Sequence, residues 1–377
     1  MLSSSNYSNI KAEAYGLRAF LHFDLLRLFG WGDLINTPEN LNKLCIPYVT
    51  EYSKKITKQS TVKEVLEYIH KDLDVSEELL KYYGFYHTEI PKEGYELIND
   101  DHFYDNRQSS FNYRAAVATS VRVLMWEGKY KEALKKLDMY VGDERVVSWV
   151  NADKAIHVEE KERDLTFSTE HIFNLNINNM YEPLKQYIEN YQIHGDFTVS
   201  NNLNYFYTSK TDADELYEIN EGIGISDYRY MVWYEKTDAS KWLIYKFYES
   251  PDSKSPSKNL MPIIRKPEMF YYAVECNNEL GNITDAIKLL NEVRIARGML
   301  YDSNLPTTLS KEEVNEELWK EWRKEYVGEG QLFYQYKRIA KKIPKASVTG
   351  DKLWIMPLPS REVEIGGRED YKKKDNE

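Results

Sequence analysis

Cysteine is scarce in this sequence, and long apolar runs are missing. Cys45 and Cys276 are the two cysteines among 377 residues, too few for a disulfide framework. No apolar run approaches the roughly 20 residues that span a bilayer. Residues 1–16 lack the apolar segment of a signal peptide, and Cys45 does not follow a lipoprotein-type apolar run. Either the protein is cytosolic or a targeting segment is absent from this chain.

Positive charge is also in short supply. Lysine and arginine number 50 against 61 acidic residues, which gives a formal net charge of -11. Because nucleic-acid backbones are bound by basic patches, this balance argues against a nucleic-acid partner. With 42% hydrophobic and 29% charged residues, the chain is globular, and its length permits one to three domains.

Sequence motifs for catalysis and metal binding are missing as well. The chain has no nucleophile elbow, phosphate loop or HExxH zinc motif, and its seven histidines lack metal-ligand spacing. Residues 211–222 begin like a calcium loop, but Leu216 and Tyr217 replace its oxygen ligand and glycine. We therefore predict no metal, no cofactor and no catalytic residue. A distant pair of acidic residues, as in a glycoside hydrolase, stays open, although solvated surface is the favoured interpretation.

Aromatic residues, in contrast, are abundant at 14% of the chain, with 31 tyrosines. Tyrosine suits polar binding surfaces, although the composition of an AT-rich genome explains the bias equally well. Rings concentrate in the stretch 205–242, where they could stack on a sugar or form a local core. The candidate ligand-binding residues are Tyr205, Tyr207, Trp233, Tyr234 and Trp242.

Helical periodicity dominates both ends of the chain. Apolar spacing predicts helices over 10–29 and 61–81, the second with a capping box of Thr61 and Glu64. Residues 113–141 and 268–298 share the pattern of a tetratricopeptide hairpin, with Gly128 and Gly281 between the two helices. The two hairpins lie far apart, so they do not form a tandem array.

The middle of the chain, about 165–262, lacks this periodicity. Alternation predicts strands at 171–178 and 229–235, while 201–209 and 240–248 are short strands or loops. Residues 251–262 form a polar Ser/Pro/Lys loop, and so long an irregular insertion is usually functional. Beyond it we predict a helix over 310–327, capped by Ser310 and Glu313, and then an extended segment at 351–367.

Several stretches together resemble the SusD/RagB family of outer-membrane nutrient-binding lipoproteins of Bacteroidota. AEAYGLRAFLHFDLLRLFGWGDL at 12–34 resembles the family's hallmark helix, including Arg18, Asp24 and Arg27. EWRKEYVGEGQLFYQYKR at 321–338 fits a later motif with Glu325, Glu329, Gly330 and Phe333, although Gln335 replaces a usual aspartate. Further matches are EHIFNLNI (170–177), the block from Lys266 to Gly298, and LWIMPLPSREVE (353–364). The order of the motifs is that of the family over roughly 10–365.

This resemblance implies an α-dominated, SusD-like fold. Tetratricopeptide-like hairpins, at about 10–141 and 263–340, would pack against an irregular, loop-rich ligand-side insertion at about 165–262 with short β-hairpins. The whole chain, 1–377, would be a single domain. The N-terminal part of the family fold, with its lipidated cysteine, is expected to be missing.

The resemblance also implies a function. The protein would bind an oligosaccharide or polysaccharide at the outer face of the outer membrane without cleaving it, and would deliver it to a SusC-like TonB-dependent transporter. Membrane attachment would depend on a lipid anchor outside this chain. Three alternatives stay open: capture of peptide or glycopeptide, a tetratricopeptide-type peptide-binding adaptor, and a glycan-cleaving enzyme.

The 321–338 stretch itself permits an acid/base site or a salt-bridged helix that ends in an aromatic anchor. We favour the second. We expect Glu325 or Glu329 to form a buried or half-buried ion pair with Arg18 or Arg27. Gly330 should end the helix, and Phe333 and Tyr336 should enter the core.

Overall fold

A computed structural model describes residues 4–83, 102–104, 107, 109–142, 147–184, 207–236, 241–248, 250–344, 346 and 350–369. The chain divides into two compact units. Unit 1 comprises Met1–Arg107, Phe111–Ala133 and Gln331–Glu377, and unit 2 comprises Gln108–Ser110 and Leu134–Gly330. The expectation of a single domain over 1–377 stays a prediction.

The fold is α-dominated, as predicted, with short strands in unit 2. Over the described residues the helices are α1 Ser4–Phe29, α2 Val62–Tyr83, α3 Tyr113–Trp126, α4 Tyr130–Val141, α5 Ala152–Ala155, α6 Lys210–Leu216, α7 Tyr228–Val232, α8 Lys266–Glu279, α9 Ile283–Ala296, α10 Lys311–Glu325, α11 Gln331–Arg338, α12 Asp351–Trp354 and α13 Ser360–Glu364. None of these helices is long and apolar enough to cross a membrane.

Unit 1 is built on the packing of α1 against α2. Their shared core contains Phe23 and Leu26 from α1 and Leu66 and Ile69 from α2. Helix α2 begins as predicted: the Thr61 amide donates to the Glu64 carboxylate, and the Glu64 amide donates to the Thr61 hydroxyl. Because both ends of this box satisfy backbone donors that the helix leaves unpaired, the chain enters the helix at a defined residue.

The apolar stripe that predicted α1 is mostly not its buried face. Ile10, Leu21 and Leu25 are 41%, 58% and 42% exposed among the described residues, whereas Ala12 and Ala19 are fully buried. Small residues on the buried face let α1 lie close to its neighbours. Periodicity therefore predicted the helix correctly without identifying its core side.

Both predicted helical hairpins have the expected pair of helices, α3 with α4 and α8 with α9. Gly128 and Gly281 separate the helices with φ of 71° and 87°. This left-handed backbone favours glycine, since a side chain at positive φ clashes with the backbone.

Two small antiparallel sheets complete unit 2. Strand β1 (His171–Asn176), predicted from its alternation, pairs with β5 (Leu260–Arg265). Strands β2 (Tyr207–Ser209), β4 (Lys241–Ile244) and β3 (Tyr234–Glu235) form the second sheet in that order. The N-terminal part of the possible strand 201–209, before Tyr207, lies outside the described residues.

The strand predicted at 229–235 is wrong over most of its length. Residues Tyr228–Val232 form α7, and only Tyr234–Glu235 are extended. The Asp227 carboxylate accepts a hydrogen bond from the Arg229 amide and caps the helix at its start. Alternation alone therefore predicted a strand where this cap starts a helix.

The C-terminal helices also differ from expectation. Helix α10 starts with the predicted Ser310–Glu313 capping box but ends at Glu325, so Gly330 does not end it. Gly330, with φ of 72°, directly precedes α11 instead. The segment predicted as extended at 351–367 contains the short helices α12 and α13.

Candidate ligand site

The aromatic residues proposed from the sequence separate into two groups. Trp233 is fully buried, and Tyr234 and Trp242 are each only 5% exposed, in a core with Phe167 and Tyr217. The indole N–H of Trp233 donates to the Leu165 carbonyl at 2.7 Å. Buried rings offer no face to a sugar, so these three residues are corrected from ligand contacts to core residues.

Tyr207 differs from these core rings because it is 50% exposed on β2. It stays a predicted ligand contact. Tyr205 lies outside the described residues, and its predicted role stays a prediction too.

The acidic residues of the 321–338 stretch lie in a buried ionic network of unit 2. Both carboxylate oxygens of Glu325 are engaged, at 2.5 Å by Arg265, 2.8 Å by Arg297 and 3.0 Å by Arg229. Burial opposes the charge of Glu325, but the guanidinium groups of Arg297, Arg265 and Arg229 outweigh it and hold its pKa well below the usual value. Glu325 is therefore negatively charged at neutral pH and is paired with three arginines.

Neighbouring carboxylates extend this network. Glu321 lies 2.8 Å from Arg229 and 3.0 Å from Lys324, and Glu170 lies 2.6 Å from Arg297. The network thus fastens α10 to α7 and to the end of α9. An acid/base site needs a carboxylate with a pKa near neutral pH, whereas the cations beside Glu325 and Glu321 outweigh burial and hold the pKa of both below the usual value.

The buried ion pair predicted for Glu325 is confirmed, but its predicted partners are wrong. Arg18 instead donates to both Asp72 oxygens, at 2.6 and 2.7 Å. Arg27 pairs with Asp24, and its guanidinium lies 4.0 Å from the Tyr334 ring centroid. Arg18 and Arg27 thus find their partners within unit 1.

The aromatic anchor of the same stretch lies in unit 1. Tyr336 is buried at 5% exposure. Phe333 is half-buried, with its ring centroid 6.1 Å from that of Trp354. Tyr336 therefore enters the core as predicted, whereas Phe333 does so only in part.

Glu329 connects the network to the chain segment after β4. It pairs with Arg265 at 2.5 Å and with the buried Lys246. The Lys246 ammonium also donates to the Glu325 carbonyl at 2.7 Å and lies 3.6 Å from the Trp233 ring centroid. Lys246 is thereby held by three contacts, and these position the backbone on either side of it.

Tyr245 and Tyr248, which lie near Lys246 in the chain, line a cavity of about 330 Å³ in unit 2. Its lining combines rings, charges and hydroxyls. The lining residues are Glu160, Lys161, Arg163, Leu165, Tyr245, Tyr248, Ser250, Ser253, Ser255 and Ser257. Concave sites of this size with a few polar groups around apolar surface are typical of small-ligand binding.

Two tyrosines form the apolar wall of this cavity. The rings of Tyr245 and Tyr248 stack with centroids 4.4 Å apart and an interplanar angle of 29°. Tyr181 meets Tyr248 edge to face at 6.5 Å. Burial, followed by the nearby Tyr248 and Glu160, raises the pKa of Tyr245, so its hydroxyl is a neutral donor at physiological pH.

A serine-rich loop forms the polar side. Ser255 and Ser257 share a hydrogen bond of 2.7 Å, and the Lys258 ammonium donates to the Pro251 and Ser253 carbonyls at 3.2 Å. The Lys161 carbonyl accepts from the Lys254 amide at 2.9 Å. These bonds order the loop beside residues 160–165, and four of its serines line the cavity together with the two rings.

A second cavity, of about 250 Å³, lies in unit 1. The Lys43 ammonium lies 3.6 Å from the ring centroid of Trp31 there, and Trp31 is only 9% exposed, so its ring offers little surface to a sugar. Lys337, which also lines this cavity, donates to the Arg27 carbonyl at 2.6 Å. These contacts are structural, and the cavity of unit 2 is the better candidate.

Tyr245, Tyr248 and Arg163 were not among the residues predicted from the sequence. The irregular insertion at about 165–262 and its Ser/Pro/Lys loop both contribute residues to the cavity lining. With 31 tyrosines, composition alone cannot choose the exposed ones. Within the described part of the chain, no cluster of three histidine, cysteine or acidic side chains could hold a metal ion.

Comparison with known proteins supports this architecture. Residues 161–376 match the family described as "SusD family", and residues 2–89 match one described as "Starch-binding associating with outer membrane". SusD-like protein P38 of Formosa agariphila is 23% identical over 92% of this chain and 70% of its own length.

Two solved structures have a similar fold. A SusD superfamily protein from Bacteroides thetaiotaomicron is 23% identical, with a TM-score of 0.67 over 97% of this chain and 78% of its own. A SusD-like carbohydrate binding protein from Bacteroides vulgatus is 18% identical, with a TM-score of 0.61 over 89% of this chain. The present chain spans 64% of the latter's length. The family match covers more than half of the sequence, and the chain belongs to the SusD family.

Proposed function

We propose that this protein binds a glycan, without cleaving it, in the cavity of unit 2. The observation that carries the proposal is the stacked pair of Tyr245 and Tyr248 at an open cavity, opposite a loop of four serines. Aromatic faces pack on the C–H faces of sugar rings, and the hydroxyls and charged groups supply hydrogen bonds for sugar hydroxyls. The protein would thus bind a monosaccharide unit of a longer chain.

The cavity favours binding over hydrolysis. Glycoside hydrolysis requires two carboxylates across the scissile bond. Among the described residues that line the cavity, Glu160 is the one carboxylate, and its side chain is 71% exposed. Incubation with the bound glycan should therefore release no product, and detection of shortened oligosaccharides would overturn the non-catalytic assignment.

We further propose that the protein acts at the outer face of the outer membrane, as the companion of a SusC-like TonB-dependent transporter. The support is the family description, which joins starch binding to outer-membrane association. The protein would act as a lid whose hinged opening admits the glycan. Co-purification of such a barrel with the full-length protein from detergent-solubilised outer membranes tests this, and its absence would contradict the partnership.

Affinity electrophoresis on a panel of glycans, followed by calorimetry with the strongest binder, tests the binding site. We expect Tyr245→Ala and Tyr248→Ala each to weaken binding about tenfold or more, as for ring anchors at other interfaces. Tyr301→Ala is the matched control, because Tyr301 is 77% exposed and lies outside the cavity lining. Unchanged affinity in both cavity variants would move the site elsewhere. Retention by peptides but by no glycan would favour peptide capture instead.

A further inference from the structure

The charges around the cavity point to a narrower ligand class, an inference that rests on the proposed function. The chain carries a net charge of -11, yet the cavity lining has two cations, Lys161 and Arg163, against one carboxylate, Glu160. We propose that the cavity selects a sugar unit with an anionic substituent, a carboxylate or a sulfate ester, and that Arg163 is its specificity-determining contact.

Arg163 is held in place but only partly neutralised. Its Nε donates to the His157 carbonyl at 2.8 Å, which fixes the plane of the guanidinium. Its Nη1 lies 3.3 Å from the Glu160 carboxylate, and Glu160 is 71% exposed, so water screens this pair. The Nη2 group has no hydrogen-bond partner among the described residues. With Nη2 free among the described residues and Nη1 shared only with a screened carboxylate, the guanidinium could donate two parallel bonds to a carboxylate or sulfate that displaces Glu160.

Lys161 adds a second positive charge on the same side. Its ammonium is 3.6 Å from the Glu159 carboxylate, with side-chain exposures of 38% and 58%, so this pair is weak and solvated. The Lys161 carbonyl, in turn, is bound by the Lys254 amide of the serine loop. An anionic substituent between Arg163 and the loop would therefore meet the N–H donors of the guanidinium and the Lys161 ammonium.

Electrostatics also assigns a role to Glu160. Its carboxylate competes with the ligand for Arg163 and repels a ligand anion at the mouth of the cavity. Removing its charge in Glu160→Gln should strengthen binding of an anionic glycan, the opposite of what loss of a favourable contact would do. A neutral glycan should not respond in this way.

The experiment uses acidic polysaccharides paired with their neutralised forms. Polygalacturonate is compared with its methyl ester, and chondroitin sulfate with its desulfated, methyl-esterified form. If the bound group is a uronate, the protein should be retained by polygalacturonate. If it is a sulfate ester, retention by chondroitin sulfate should fall when the sulfates alone are removed. Each pair keeps its stereochemistry, so that charge is the main variable. We expect the acidic member of at least one pair to bind at least tenfold more tightly, with an affinity that falls as salt rises.

Variants then locate the charge response. Arg163→Met should weaken binding of the acidic glycan about tenfold or more, since a hydrogen bond to a charged group is lost, and that of a neutral glycan about threefold at most. Arg163→Lys should recover only part of the loss, because lysine cannot donate two parallel bonds. Arg323→Met is the matched control, since Arg323 is exposed on α10 of the same unit and outside the cavity lining.

The outcomes separate the two proposals. If neutral glycans bind through Tyr245 and Tyr248 as tightly as acidic ones, and Arg163→Met changes nothing, glycan binding stands and the anionic selectivity is refuted. If no glycan of either kind binds, the proposed function fails, and the selectivity fails with it. Equal losses in Arg163→Met and Arg323→Met would reduce Arg163 to a contribution to overall charge and also refute the inference.

Discussion

Replacing Glu325 by glutamine tests the claim that this residue is structural. The substitution keeps the shape of the side chain and removes one negative charge from the contacts with Arg229, Arg265 and Arg297. Each arginine retains another carboxylate, namely Asp227 or Glu321 for Arg229, Glu329 for Arg265 and Glu170 for Arg297. The cost should therefore lie near the lower end for a broken buried ion pair, about 3 kcal/mol in the free energy of unfolding.

Urea unfolding followed by tryptophan fluorescence measures this change. Glu215→Gln is the control, because Glu215 is exposed on α6 of the same unit and should change the unfolding free energy by less than about 0.5 kcal/mol. A loss for Glu325→Gln below about 1 kcal/mol, or equal to that of the control, would refute the argument that the network is a buried structural element.

Lowering the pH should reduce the difference in unfolding free energy between the wild type and Glu325→Gln. The arginines hold the pKa of Glu325 well below its unfolded value of about 4.3, so its contribution to stability is complete above that value. As pH falls through the folded-state pKa, the carboxylate becomes protonated and the contribution is lost. Unfolding free energies of the two proteins, measured from about pH 7 down to pH 3, should therefore begin to converge below about pH 4, and a constant difference would contradict this origin.

Two further predictions concern buried side chains. Trp233→Phe removes the donor to the Leu165 carbonyl and should cost about 2 kcal/mol of unfolding free energy while glycan affinity stays unchanged; weaker binding at unchanged stability would return Trp233 to the ligand site. Burial, and then Arg27, lower the pKa of Lys337 to about 7. Because Lys337 is protonated in the unfolded state but not in the folded state from about pH 7 to pH 10.4, stability should rise with pH over this range, and Lys337→Met should reduce that rise in the urea midpoint. An equal rise in both proteins contradicts the prediction.

Local features of the fold were predictable because their causes are close in sequence. The Thr61–Glu64 and Ser310–Glu313 boxes involve residues three positions apart, and the helices they start are where the sequence placed them. The wrongly predicted strand at 229–235 also has a local cause. Its alternation is real, but a single carboxylate at Asp227 provides a helix cap, and the cap decides the local structure.

Long-range pairing was not predictable from one sequence. The arginines that surround Glu325 lie 28, 60 and 96 residues away along the chain. The sequence shows that Glu325 lies at the end of a helix with a buried face, and a buried carboxylate requires a cation beside it. Nothing local indicates which of the 50 lysines and arginines supplies that cation. The choice of Arg18 or Arg27 rested on motif membership and was wrong for that reason. The half-buried tyrosines of the cavity were not predicted for the same reason, since burial depends on elements distant in sequence.

The network and the cavity meet in one short segment after β4, and this arrangement separates fold from specificity. Lys246 turns into the network, where it contacts Glu329 and the Glu325 carbonyl, while Tyr245 and Tyr248 on either side face the cavity. The stretch at 321–338 thus anchors the backbone that carries Tyr245 and Tyr248, although none of its own residues is among those that line the cavity. If the cavity binds a glycan as proposed, Tyr245, Tyr248 and Arg163 could change to suit another glycan while the buried charges stay the same. In that proposal the acidic stretch at 321–338 would hold the backbone of the site in place, and Tyr245, Tyr248 and Arg163 would select the ligand.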